Sequence, residues 1–170
     1  VGNYQPLPYA LPGLLARLGG DPFAADLLGR AAAGLTCWAF LALACWLVWD
    51  GRAASLVGLL ATVTPMVLFI AASLTPSGLE ICAGIAFAAA LLRLWRDERA
   101  RAWVWLAAGL SGAALALSRS TGPIYVGLDL LAFVALLGAG GVLGRARRAP
   151  LGAALGGAIL GVGVVLSRWW

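Results

Sequence analysis

The sequence predicts an all-α, polytopic transmembrane helix bundle of about six spans. Three observations carry that prediction. First, 62% of the 170 residues are hydrophobic and only 11% are charged, against about 25% charged in ordinary soluble domains. Second, mean hydropathy is +0.95, leaving too little polar material to cover a water-soluble globule. Third, the apolar residues fall in blocks matching the ~20 residues that a helix needs to cross a bilayer.

The chain opens with its least lipid-like stretch, residues 1–29, read as an extracytoplasmic or interfacial segment. Pro6, Pro8 and Pro12 predict an irregular or extended approach over Tyr4 to Leu11, then a short interfacial helix over Leu14 to Leu18 that Gly19-Gly20 ends. Asp21-Pro22 is a restart signal, with Asp21 as N-cap and Pro22 in the first turn. Tyr4 and Tyr9 suit a headgroup-level belt.

Six apolar segments are then expected, at about 28–49, 56–74, 79–95, 103–118, 124–143 and 151–166. Asp50-Gly51-Arg52 stops the first, and Ser55 is the expected cap of the second, which contains Pro65. The turn Thr75-Pro76-Ser77-Gly78 precedes the third, and a charged run from Arg93 to Arg101 follows it. The fourth is short for a full crossing and reads as half of a broken hairpin with the fifth. Gly152, Gly156, Gly157 and Gly161 give two G-x-x-x-G spacings on the sixth, which predict close helix packing within the chain or, as the alternative, a dimer face.

All twelve basic residues are arginine, and their distribution sets the expected orientation. With residues 1–29 outside, eight of them (Arg52, Arg93, Arg96, Arg99, Arg101, Arg145, Arg147 and Arg148) lie on the cytoplasmic side. The eight tryptophans fall mostly near segment ends, as interfacial anchors do. Net charge +5 reflects these topology signals, and no nucleic-acid partner is expected. The chain has no histidine, which excludes Ser-His-Asp and Cys-His catalysis and His-ligated zinc or haem. Cys37, Cys45 and Cys82 fall inside apolar segments without C-x-x-C spacing and read as small buried hydrophobes. No metal site and no cofactor are evident.

Five charged residues carry chemical interest. Glu80 and Asp129 are acidic residues near membrane depth, where ionisable groups are functional candidates. Ser77 and Glu80 also have the spacing of a capping box at the start of the third segment. Asp129 needs either a partner, for which Arg119 is the nearest candidate, or a polar cavity. Arg119 ends an apolar segment among Ser118, Ser120 and Thr121, an arrangement able to hold phosphate bidentately. Phospholipid headgroups would satisfy it as well. Asp26 and Arg30 have i,i+4 spacing and can pair on a helix surface.

Several stretches resemble a known family. Asn3 to Pro12 is similar to the Y-P-P-L-Y-Y stretch that follows the first extracytoplasmic loop of GT-C-type membrane glycosyltransferases, with Gln5 and Pro8 replacing the commoner Pro and Tyr. Leu28-Gly29-Arg30 resembles the arginine that opens their next span. Thr64 to Phe69, Ser73 to Ile81 and the Ala116 to Pro123 hairpin resemble motifs of the bacterial membrane-protein family of unknown function 2142. The resemblance covers residues 3–130. It implies an integral, multi-pass protein of the bacterial plasma membrane, with residue 1 extracytoplasmic and a polyprenyl-phosphate-linked sugar as substrate. Arg119 and Arg30 are then the lipid-phosphate candidates, and Tyr4, Tyr9, Glu80 and Asp129 the cleft rim. The resemblance also places the first helix and the catalytic acidic loop upstream of Val1, so the chain is read as a fragment and no catalytic residue is assigned. It leaves room for a divalent metal in the full-length protein. The alternative expectation is a non-catalytic scaffold or transport-associated subunit, whose polar residues are only caps and pairs.

Overall fold

The computed structural model describes residues 5–169. Tyr4 and Trp170, read above as rim and anchor, lie outside the described residues. Among the described residues there are eight α-helices: α1 (Leu7–Ala16), α2 (Pro22–Val48), α3 (Val57–Thr62), α4 (Pro65–Ala71), α5 (Pro76–Arg96), α6 (Ala102–Ala116), α7 (Gly122–Arg148) and α8 (Pro150–Ser167). No strand occurs among the described residues. The protein is an all-α, integral, multi-pass membrane protein.

Four helices (α2, α5, α7 and α8) are long and apolar enough to cross a bilayer, or up to five spans if α3 and α4 together make one. That is fewer than the expected six, for two physical reasons. Pro65 breaks the second segment: it lacks an amide proton and disfavours helical geometry at Thr64. Thr64 caps α4 instead, accepting from the Val67 amide at 3.4 Å, and the axis bends by 68°. The fourth segment, α6, has 15 residues, about 22 Å at 1.5 Å per residue, against a hydrocarbon core of ~30 Å.

The N-terminal approach is also helical, not extended. Pro6 is the N-cap of α1 and one proline sits in its first turn, where a missing amide proton costs nothing. Pro12 lies inside α1 and is buried. Asp21 caps α2 as the sequence predicts, its Oδ1 accepting from the Ala24 amide at 2.8 Å. Ser55 does not cap as expected. It lies in a 3-10 turn, Ala53–Leu56, and its hydroxyl donates to the Arg52 carbonyl at 2.7 Å.

Packing organises the bundle around α5 and α6. α5 touches α2, α4, α6 and α7, and α6 lies between α5 and α8. The core is alanine-rich, with Phe87 and Leu94 of α5, Leu47 of α2, and Val104 and Leu115 of α6 as its large members. Small side chains let the α6 and α8 backbones approach closely. A Cβ on Gly152 would lie 2.6 Å from the Ala102 Cα, one on Gly109 2.5 Å from the Gly156 carbonyl oxygen, and one on Gly163 2.7 Å from the Ala113 Cβ. Gly157 and Gly161 face open space. The intrachain reading of the glycine pattern is therefore correct for Gly152 and Gly156, and Gly163 joins them.

Side-chain contacts between distant loops gather them at two ends. One end holds Arg52, the Arg93–Arg101 run and Arg145–Arg148, eight arginines against Asp50, Asp97 and Glu98. Side chains cross-link it. Arg145 Nε donates to the Leu94 carbonyl at 2.9 Å and Nη2 to the Trp95 carbonyl at 3.1 Å, while Arg148 pairs with Glu98 at 2.9 Å. The Arg148 guanidinium holds the Glu98 carboxyl below the usual carboxylate range. The opposite end balances four arginines (Arg17, Arg30, Arg119 and Arg168) against Asp21, Asp26, Glu80 and Asp129. There the buried Gln5 amide donates to the Ser167 carbonyl at 3.3 Å, tying the chain's first described residue to the end of α8.

Candidate functional site: a polar-mouthed groove between α5 and α7

At the charge-balanced end, Glu80 on α5 faces Arg119, which follows α6, with 3.6 Å between their charged atoms. The Glu80 side chain is 14% exposed and that of Arg119 46% exposed. Thr121, just before α7, donates its hydroxyl to Glu80 Oε1 at 3.4 Å. The local sequence explains the placement. Pro76 takes the first turn of α5 with Thr75 as N-cap and no side-chain cap bond. Ser77 therefore falls inside the helix, the expected Ser77–Glu80 capping box does not form, and Glu80 is left to meet Arg119.

Glu80, Arg119, Thr121, Tyr125 and Asp129 line one open groove of about 600 Å³, whose apolar wall is built from α5 residues such as Ile81 and Ile85. Tyr125 and Asp129, four residues apart, share one face of α7, and Thr121 stands one turn before Tyr125 as the N-cap. A second hollow of about 300 Å³ shares Ala88 and Asp129 with the first and runs on past Leu92 and Phe133 to Leu136 and Trp95. The two make a continuous groove. Its mouth holds a cation, a carboxylate, a hydroxyl and a phenol, Asp129 lies part-way along, and the remainder is hydrocarbon.

An Arg119–Asp129 pair was one of two readings open for Asp129; the carboxylate beside Arg119 is Glu80. The turn after α6 brings the guanidinium to the start of α5, whereas Asp129 lies two turns into α7. Asp129 has no ion-pair or hydrogen-bond partner among the described residues, and it lines the groove where the polar mouth gives way to apolar walls. Arg30 and Arg119 do not converge. Arg30 lies on α2, pairs with Asp26 at 3.9 Å and is exposed, outside the groove lining. Tyr9, on α1, is likewise outside it. Tyr125 was missed, although its i+4 spacing from Thr121 and i−4 spacing from Asp129 is a legible signal.

A separate cavity of about 530 Å³ lies between α1, α2, α5 and α6. Its lining is apolar except for Thr36, whose hydroxyl is satisfied by the Ala32 carbonyl at 2.8 Å. Cys37 and Cys82 are free and pack together with Ala71 between α2, α4 and α5. No group of three histidine, cysteine or acidic side chains suited to a metal occurs among the described residues.

The groove thus offers a half-exposed guanidinium beside hydroxyl groups at its mouth, and an apolar trough further along. No curated protein and no solved structure matches the chain. The family model described as Predicted membrane protein (DUF2142) matches residues 1–170, and the chain belongs to that family.

Proposed function

We propose that this chain is part of a GT-C-like integral membrane glycosyltransferase of the bacterial plasma membrane, using a polyprenyl-phosphate-linked sugar donor. The observation that carries the reading is Arg119. Its guanidinium is half-exposed at the mouth of an open groove, beside Thr121 and Tyr125, with hydrocarbon-lined space further along. An amphiphile with an anionic head and a long chain matches that order of surfaces. Arginine holds phosphate through a planar fork, and a lipid-borne substrate needs a cleft open to the bilayer. The positive-inside rule puts the groove mouth outside, since the other end carries eight arginines.

Binding of undecaprenyl phosphate to the full-length protein in detergent tests the reading. Losing a hydrogen bond to a charged group costs about 1.5–3 kcal/mol, so Arg119→Gln should weaken binding roughly ten- to hundredfold. Arg119→Lys should fall between. Unchanged affinity in Arg119→Gln refutes the reading.

The Glu80–Arg119 contact supports a second reading, a non-catalytic scaffold whose charges satisfy one another. Glu80→Gln separates the two. It frees the guanidinium, so phosphate binding is kept or strengthened if Arg119 is a ligand site. A scaffold shows only a lower unfolding temperature.

A further inference from the structure

We infer that a second lipid site lies beside α1, built for an uncharged long-chain alcohol and separate from the α5–α7 groove. The alcohol's hydrocarbon fills the apolar cavity between α1, α2, α5 and α6, and its hydroxyl enters a small polar pocket that adjoins it.

Two adjoining hollows make the site. The apolar cavity measures about 530 Å³ and the pocket about 30 Å³. Leu7 and Leu11 of α1, Thr36 of α2 and Leu79 of α5 line both. The pocket adds Ser73 and Thr75, from the loop between α4 and α5. Among the described residues, no charged side chain lines either hollow. Neither shares a lining residue with the groove that holds Arg119 and Asp129.

The pocket selects the polar end. An uncompensated charge among membrane helices is costly, so a pocket without a cation rejects a carboxylate or a phosphate. Thr36 and Ser73 spend their protons on the Ala32 and Phe69 carbonyls, at 2.8 and 2.9 Å. Their oxygens keep lone pairs, so they accept from an incoming donor. Thr75 stands as N-cap of α5 without a side-chain cap bond, which leaves its hydroxyl available. Size narrows the donor further. The pocket has room for about two water molecules, which a hydroxymethyl group fills and a glycerol or sugar head exceeds.

The larger cavity selects a chain over a helix. A helix is ~10 Å across and rises 5.4 Å per turn, so a single turn displaces about 420 Å³. The cavity therefore holds little more than one turn of helix, whereas a flexible hydrocarbon chain fits the slot that Ala10, Ala39, Ala113 and Ala114 leave. The order along α2 gives the orientation. Thr36 adjoins the pocket, and Leu43 lines the cavity seven residues further on, about 10 Å deeper. The hydroxyl thus stands toward the charge-balanced end and the chain toward the middle of the bundle, as in a leaflet lipid.

The test uses full-length protein in nanodiscs and 1-hexadecanol with a diazirine in its chain. Cross-links should map to the cavity walls, Ala39 to Leu43 on α2 and Leu110 to Ala114 on α6. Unlabelled 1-hexadecanol should compete about fivefold better than hexadecyl methyl ether, which has an oxygen but no O–H to donate. Ala39→Phe fills the slot from an exposed position and should cut labelling about tenfold. Ala10→Phe, on α1, makes the same test from another wall should the first variant not fold. Ser73→Ala with Thr75→Val should abolish the alcohol's advantage over the ether and leave the cross-links in place. Equal competition by the ether, or undiminished labelling in a folded phenylalanine variant, overturns the inference. So does a disulfide between two copies of the Ala39→Cys protein, which would mean that a second chain covers the cavity.

Discussion

Two adjacent glycines on α8 should respond to the same substitution in opposite ways. A methyl group on Gly156 would be driven into the Trp105 carbonyl of α6, with the carbonyl carbon 2.8 Å away. Ordinary Cβ contacts begin at about 3.4 Å. The obstacle is backbone, which no rotamer change can move, so the helices must separate by the better part of an ångström. A gap of 0.5–1 Å forfeits roughly a quarter to a half of each dispersion contact along the seam. The same displacement loosens Gly152 on Ala102 and Gly163 on Ala113. Overpacking of this kind costs about 1–3 kcal/mol. Gly157 has nothing within 4 Å of its virtual Cβ, and Gly→Ala in a helix interior is worth roughly 0.5–1 kcal/mol in favour of alanine. Gly156→Ala should therefore lower the stability of the detergent-solubilised protein, and Gly157→Ala should preserve or raise it. Reversible unfolding in mixed SDS micelles, followed by far-UV circular dichroism, measures both. Equal effects of the two substitutions would refute the close-packed α6–α8 seam.

Arg145→Ala should destabilise the protein by about 1.5–3 kcal/mol, because two carbonyls at the end of α5 lose their guanidinium donor. Arg145→Lys should recover only part of that in the same unfolding assay, since an ammonium cannot reproduce the fork. Glu98 has a depressed folded-state pKa, with Arg148 its main cause. Its stabilising contribution is therefore present above the unfolded carboxyl value, ~4.3, and is lost as pH falls through the lower folded value. Carboxyl-selective NMR titration should show the Glu98 pKa rising in Arg148→Ala. Sidedness is measurable by single-cysteine labelling with an impermeant maleimide on intact cells. Ser77→Cys should react and Arg52→Cys should not; the reverse pattern would overturn the orientation.

The fold class was legible because composition and block length speak directly about solvent. Local starts were legible where the chemistry is local: Asp21-Pro22 reads as a helix start and forms one. The Pro65 break was visible as a residue yet passed over as a bend, because hydropathy is blind to direction. Helix phase explains the glycines. At 100° per residue, Gly163 is seven positions from Gly156 and returns to within ~20° of it, whereas Gly161 points well away. Simple i,i+4 spacing therefore picked Gly161 and missed Gly163. At the site, the sequence drew attention to Arg119, which lines the groove, but not to its carboxylate partner. Glu80 is distant in sequence, and only the short α6 and the turn after it bring the two charges to one end. Local spacing suggested Asp129, which the α7 helix carries away from the mouth.

Gly138 gives α7 a property that the other long helices lack. It has φ +69 and ψ 155 inside the helix, a backbone state open to glycine and strained for any side chain. The joint divides α7 into rods of roughly 24 Å and 15 Å, neither of which spans a ~30 Å hydrocarbon layer alone. The longer rod walls the groove, and the shorter one is fastened to α5 by Arg145. A bilayer thinner or thicker than this protein prefers would otherwise be met by tilting whole helices. A change of angle at Gly138 reorients the shorter rod and leaves Tyr125 and Asp129, both on the longer one, in the same relative positions along the groove.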